Sequence, residues 1–171
     1  MMSAPSNLDR RRSHAFDLRW VSFGSPAAIV TSMALIVGLG AETVTRAAIV
    51  GSLLIIAVAD NLTDSLSVHI YQESERLAQR QAFRTTLANY AARLGTALSF
   101  VALFIVLPPP VATYACVAWG FALLSGLTYL LARARNVKPF AEIIKHAGVA
   151  VAVILIGRVI GMAIRALLGA A

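Results

Sequence analysis

Five stretches of this chain, each close to twenty residues long and nearly free of charge, decide what it can fold into. They run over about 21–41, 47–69, 90–107, 111–132 and 147–168. A helix needs ~20 apolar residues to cross the ~30 Å of hydrocarbon in a bilayer. One small core could not bury five such runs, so lipid is the expected solvent. Charged residues make up 13% of the chain, about half the ~25% of an ordinary soluble domain. The expected fold is an all-α integral membrane protein with five transmembrane helices, residues 1–19 forming a polar tail and 20–171 the transmembrane domain. The tail carries Arg10, Arg11, Arg12 and Arg19 with Asp9 and Asp17 and has no apolar centre, which excludes a signal peptide.

Charge alternates between the connections. Arg10, Arg11, Arg12 and Arg19 precede the first run. Arg76, Arg80, Arg84 and Arg93 fall in the connection between the second and third runs together with the start of the third. Arg133, Arg135, Lys138 and Lys145 fall between the fourth and fifth. These are twelve of the fifteen basic residues. The other side has Arg46 and Arg165, and Arg158 lies within the fifth run. The positive-inside rule then puts the N-terminus in the cytoplasm and the C-terminus outside, as an odd number of spans requires. The same pattern assigns the net charge of +7 to membrane orientation rather than to nucleic acid. Pro108, Pro109 and Pro110 cannot continue a helix and mark an outer turn between runs three and four. Arg76, Arg80 and Arg84, four residues apart, form a basic face suited to anionic headgroups.

The first run holds Ser22, Gly24, Ser25, Pro26, Thr31 and Ser32. Such a helix is poorly suited to lipid and is expected inside the bundle or along a polar path. The second run carries the most informative segment, Ala59-Asp60-Asn61-Leu62-Thr63-Asp64-Ser65-Leu66-Ser67. Asp60 and Asp64 stand on one helical face. Asp60 lies ~21 Å along the helix from Arg46, in the cytoplasmic half. Each carboxylate costs ~2.5–3.5 kcal/mol to insert at the helix centre, and two on one face repel unless a proton or a cation sits between them. Oxygen ligands of this kind suit hard or borderline cations such as Mn²⁺, Fe²⁺ or Mg²⁺. A structural role, with Asp64 hydrated and Asp60 bonded to a neighbouring helix, is the other reading. Thr31, Ser32 and Ser67 are further oxygen donors along the path, and Glu73 and Glu75 follow at the cytoplasmic end. Glu73 is also placed to pair with Arg76. His69 and His146 read as interfacial residues and Cys116 as a small buried hydrophobe. Gly157 and Gly161 allow close helix approach, Arg158 beside them can snorkel outward or meet an acidic group, and Gly120 and Gly126 are expected packing positions. No phosphate loop, HExxH pattern, zinc spacing or Ser-His-Asp arrangement is present, so no enzyme chemistry and no cofactor are expected.

Ala59-Asp60-Asn61-Leu62-Thr63, continuing to Glu73-Ser74-Glu75, resembles the second helix of the vacuolar iron transporter family. Ile29-Val30-Thr31-Ser32 through Val37-Gly38 is similar to its first helix, and Gly157-Arg158-Val159-Ile160-Gly161 to its last. The resemblance covers residues 20–168. It implies a homodimer in a bacterial inner membrane that exports a divalent metal ion, Fe²⁺ or Mn²⁺, in exchange for protons. Asp60, Asp64, Ser67, Thr31, Glu73 and Glu75 are then the expected metal contacts. Two features depart from the family. Its first-helix aspartate falls on Ala27, and its second-helix methionine falls on Asp64. The cytoplasmic metal-binding domain common in the family has only residues 71–89 in its place. Asp64 supplies an alternative carboxylate beside Asp60, giving an all-oxygen site. The other reading is a non-transporting membrane scaffold or accessory protein that keeps the fold.

Overall fold

The computed structural model describes residues 24–40, 44–74 and 79–168. They form five α-helices and nothing else: α1 Ser25–Gly40, α2 Arg46–Ser74, α3 Gln79–Val106, α4 Pro109–Ala134 and α5 Pro139–Leu168. The polar tail lies outside the described residues. Helices α2 to α5 are each long and apolar enough to cross a membrane. α1 has 16 residues, ~24 Å at 1.5 Å per residue, and is shorter than a full span. The protein is a multi-pass membrane protein built on four long apolar helices and a shorter fifth.

Helix ends depart from the apolar runs for physical reasons. α3 begins at Gln79, not near residue 90, and α5 at Pro139, not 147, because backbone hydrogen bonding continues past the edge of the hydrocarbon. The link from α3 to α4 is only Leu107 and Pro108, since Pro109 can occupy the first helical position, where no N–H is needed. α4 ends in a Schellman arrangement. The Val137 N–H donates to the Ala132 carbonyl (3.0 Å) and the Asn136 N–H to the Arg133 carbonyl (3.2 Å). Asn136 sits at φ 54°, a left-handed position that asparagine tolerates. Pro139 then opens α5.

The polar first helix is the hub of the bundle, packing against all four others. Its small residues make this possible. A Cβ on Gly157 would meet the Ala34 carbonyl oxygen at 2.9 Å, and one on Gly38 would meet the Gly157 carbonyl oxygen at 3.0 Å. α1 and α5 therefore touch backbone to backbone, as small residues permit in membranes. Gly120 accommodates Met33, whose side chain would overlap any Cβ there. Gly126 departs from expectation: it is exposed with open space beside it, so it packs against nothing. Ile29, Met33, Ile36, Leu53, Phe100, Phe104 and Cys116 fill the interior. The outer surface is as apolar as the inside, with Ile55, Leu62, Leu66, Ile105, Leu155, Ile156 and Val159 all exposed. That exterior suits acyl chains and not water.

α2 and α3 pair antiparallel. Arg46 at the start of α2 donates from Nε to the Phe104 carbonyl (3.0 Å) and from Nη2 to that of Ile105. It thereby satisfies carbonyls that the end of α3 leaves without helical partners. At the other end, Thr86 and His69 lie 3.4 Å apart through Oγ1 and Nδ1.

Gly157→Val is expected to force α1 from α5 and lower stability by about 1–3 kcal/mol through overpacking. Gly126→Ala is expected to raise it by about 0.5–1 kcal/mol, because an exposed helical glycine gains from a side chain. Thermal unfolding in detergent micelles measures both.

Candidate intramembrane charge centre

The repulsion between Asp60 and Asp64 has a resident solution. Between them lies the guanidinium of Arg93, 1% exposed. Its Nη2 donates to Asp60 Oδ2 at 3.1 Å and its Nη1 to Asp64 Oδ2. The Nε donates to Asn61 Oδ1 at 2.8 Å, and Nη1 also to the Gly24 carbonyl at 3.0 Å. One side chain from α3 thus ties together two turns of α2 and the residue that opens α1. The cation that two carboxylates on one face demand is a part of the chain.

Each neighbour is placed by local sequence. Asp60, Asn61 and Asp64 share a face of α2 through 3.6-residue periodicity. Asn61 is held by its own helix, its Nδ2 donating to the Ala57 carbonyl at 2.6 Å, which turns Oδ1 toward Arg93. Gly24 has no Cβ because none would fit: one would overlap the Arg93 side chain and lie 2.7 Å from Asn89 Oδ1. Counted back from Val106, Arg93 is ~20 Å from the C-terminal end of α3. The centre lies within the apolar span. The positive-inside count therefore loses Arg93, which is not a loop residue but is buried midway along α3. The orientation is then an expectation from the remaining basic residues alone.

The carboxylates are not sealed. The Asp60 side chain is 48% exposed and that of Asp64 50%. Each meets Arg93 through Oδ2. The interior is not wholly apolar. Ser25 Oγ, Ser65 Oγ and both amide atoms of Asn89 are buried with no protein partner. Buried polar atoms of this kind call for water or a mobile partner.

The other expected contacts do not all join this centre. Ser67 is one turn beyond Asp64, exposed, its hydroxyl donating to the Thr63 carbonyl at 3.1 Å. Ser32 is buried in the α1 core. Thr31 faces elsewhere: with Gly38, Ser52, Gly157 and Ile164 it lines an apolar groove of about 580 Å³ among α1, α2 and α5. Glu75 and Arg76 lie outside the described residues, as does the side chain of Glu73. Arg158 is exposed on α5 and takes no part in the pairing. His146 bonds Thr128 through Nδ1 (3.3 Å), and Lys145 pairs with Glu142 (2.8 Å). Cys116 is a buried free thiol, as expected. Among the described residues no three His, Cys, Asp or Glu side chains converge.

Arg93 and Asn89 are the residues of this centre that sequence reasoning did not place in it. A signal was present: Asp60 and Asp64 are the only acidic residues within the apolar runs, and Arg93, Arg158 and Arg165 the only basic ones. The chain matches no family model, no curated protein and no solved structure.

Gly24→Ala is expected to displace Arg93 and to lower stability by about 1–3 kcal/mol. The loss should shrink when Arg93 is already replaced by Ala, because Arg93 Cδ and Nη1, two of the three atoms nearest the added methyl, are gone and only Asn89 Oδ1 is left. Unfolding midpoints of the two single variants and the double variant test this.

Proposed function

We propose that this protein is a small membrane carrier of a divalent cation, Fe²⁺ or Mn²⁺, of vacuolar iron transporter type. The observation that carries the reading is a pair of half-exposed carboxylates inside the apolar span, each meeting its counter-ion through Oδ2. Ionisable groups at such depth are expensive and are kept where they serve a path or a bound ion. Carboxylate oxygens suit these metals. Asp60 and Asp64 hold the cargo, Ser67 lies on the way to them, and Glu73 and Glu75 gather cations at the cytoplasmic mouth. The chain spans the bacterial inner membrane five times, N-terminus inside and C-terminus outside. It works as a homodimer that exports metal in exchange for protons.

A second reading rests on a specific observation. Arg93 already fills the space between the carboxylates, and no third metal-binding side chain joins them among the described residues. A non-transporting scaffold that uses the ion pair only to fix its helices would look the same from within one chain.

Two measurements separate these readings. Cells producing the carrier should hold less Mn²⁺ or Fe²⁺ than cells producing Asp60→Asn/Asp64→Asn, and proteoliposomes loaded with Mn²⁺ should release it only with the unaltered chain. Equal flux from the double variant rules out these carboxylates as the cargo site. Co-purification of a distinct membrane partner without metal flux supports the scaffold. Reporter fusions test the topology: a C-terminal alkaline phosphatase should be active in the periplasm.

A further inference from the structure

The charge centre contains more than a cargo site requires. Two carboxylates and one guanidinium leave one formal negative charge. A divalent cation added to that set would leave a net positive charge in a medium of low dielectric, where an unbalanced charge is costly. The two carboxylates alone balance the divalent ion. Metal and guanidinium are therefore alternatives for the same pair of oxygens, and an arginine that yields to metal needs other acceptors nearby.

Those acceptors are present. The register that sets Asn61 against Arg93 and His69 against Thr86 also sets Ser65 against Asn89. Asn89 is one turn before Arg93 on the same face of α3, and helical side chains lean toward the N-terminus, over that preceding turn. Asn89 Oδ1, Ser65 Oγ and Ser25 Oγ are buried acceptors without a protein partner. Asn89 Oδ1 and the Arg93 side chain already crowd the same point, the missing Cβ of Gly24.

We propose that Arg93 is a tethered stand-in for the transported cation: its guanidinium occupies the Asp60–Asp64 pair in the empty carrier and moves to the Ser25–Ser65–Asn89 oxygens when a divalent ion takes the carboxylates. The proposal rests on the carrier reading and gives it a reset step. An empty carrier must return across the membrane, and a bare carboxylate pair would resist that return. Arg93 neutralises one carboxylate, so that a single counter-transported proton completes the neutralisation and the return occurs without metal. Asn89 and Ser65 set how readily metal displaces it.

The test compares two modes in Mn²⁺-loaded proteoliposomes: net efflux into metal-free buffer, and exchange of labelled for unlabelled Mn²⁺ across the membrane. Only net efflux needs the empty carrier to return. With Arg93→Gln, exchange should persist while net efflux falls at least about tenfold, since returning an uncompensated pair costs more than one tenfold step in rate. Asn89→Leu/Ser65→Ala should weaken apparent Mn²⁺ affinity at least about threefold while leaving maximal exchange unchanged, because the displaced guanidinium loses its acceptors. If Arg93→Gln does not fold, Arg93→Lys decides. The ammonium lacks the fork that spans both carboxylates, so the ratio of exchange to net efflux should rise. Undiminished net efflux in Arg93→Gln, or an unchanged ratio in a folded Arg93→Lys, overturns the proposal and leaves the carrier standing. A wild-type chain that neither exchanges nor releases Mn²⁺ overturns both.

Discussion

One guanidinium holds together the part of this bundle that hydrophobicity cannot. Lipid is as apolar as leucine, so helices in a bilayer gain little by hiding apolar faces from it, and they associate through packing and specific polar contacts. Arg93 supplies those contacts for three helices at once, through Gly24 ahead of α1, through Asp60, Asn61 and Asp64 on α2, and from its own place in α3. Removing one member of such a buried group strands the others without their charge partner, which commonly costs about 3–5 kcal/mol. The absence of a side chain at Gly24, the self-bonded Asn61 and the capping of α3 by Arg46 all follow from the need to hold that guanidinium in register.

Packing provides the rest. α1 is short and rich in small and hydroxylated residues, properties that serve a helix at the centre of a bundle better than one against lipid. Gly38, Ala34 and Gly157 let it approach α5 to backbone contact, while the large residues of α5, such as Leu155, Ile156 and Val159, face outward. α2 joins the bundle chiefly through α3 and keeps an exposed face of Leu62, Leu66 and Ile70, with Asp60 at its edge. A carboxylate on that face is affordable only beside a fixed cation.

Most of the architecture was legible in the sequence. The apolar runs mark the five helices, the composition of 21–41 marks its central place, and Gly157 marks the tight contact. Helix ends were less legible, because hydropathy reports where lipid ends and hydrogen bonding reports where the helix ends. The carboxylate pair was also legible, together with its need for a cation. The identity of that cation was not. Arg93 follows Arg76, Arg80 and Arg84 in sequence, and a count of charge by connection groups it with them. Its place inside an apolar run sets it apart from the other three, but only the antiparallel register of α2 and α3, which turns residue 93 toward residues 60, 61 and 64, selects it over Arg158 and Arg165. Asn89 was illegible for the same reason, and Thr31, placed on the path by its polarity, faces the α1–α2–α5 groove.

The account stands on a single physical claim: that Arg93 and the two aspartates are energetically one unit inside the membrane. A double-mutant cycle between Arg93→Met and Asp64→Asn, read by reversible unfolding in detergent or bicelles, measures this directly. The predicted result is a coupling of at least about 2 kcal/mol, well above the ~0.6 kcal/mol average of interhelical hydrogen bonds in membranes. A coupling no larger than that average would contradict the account.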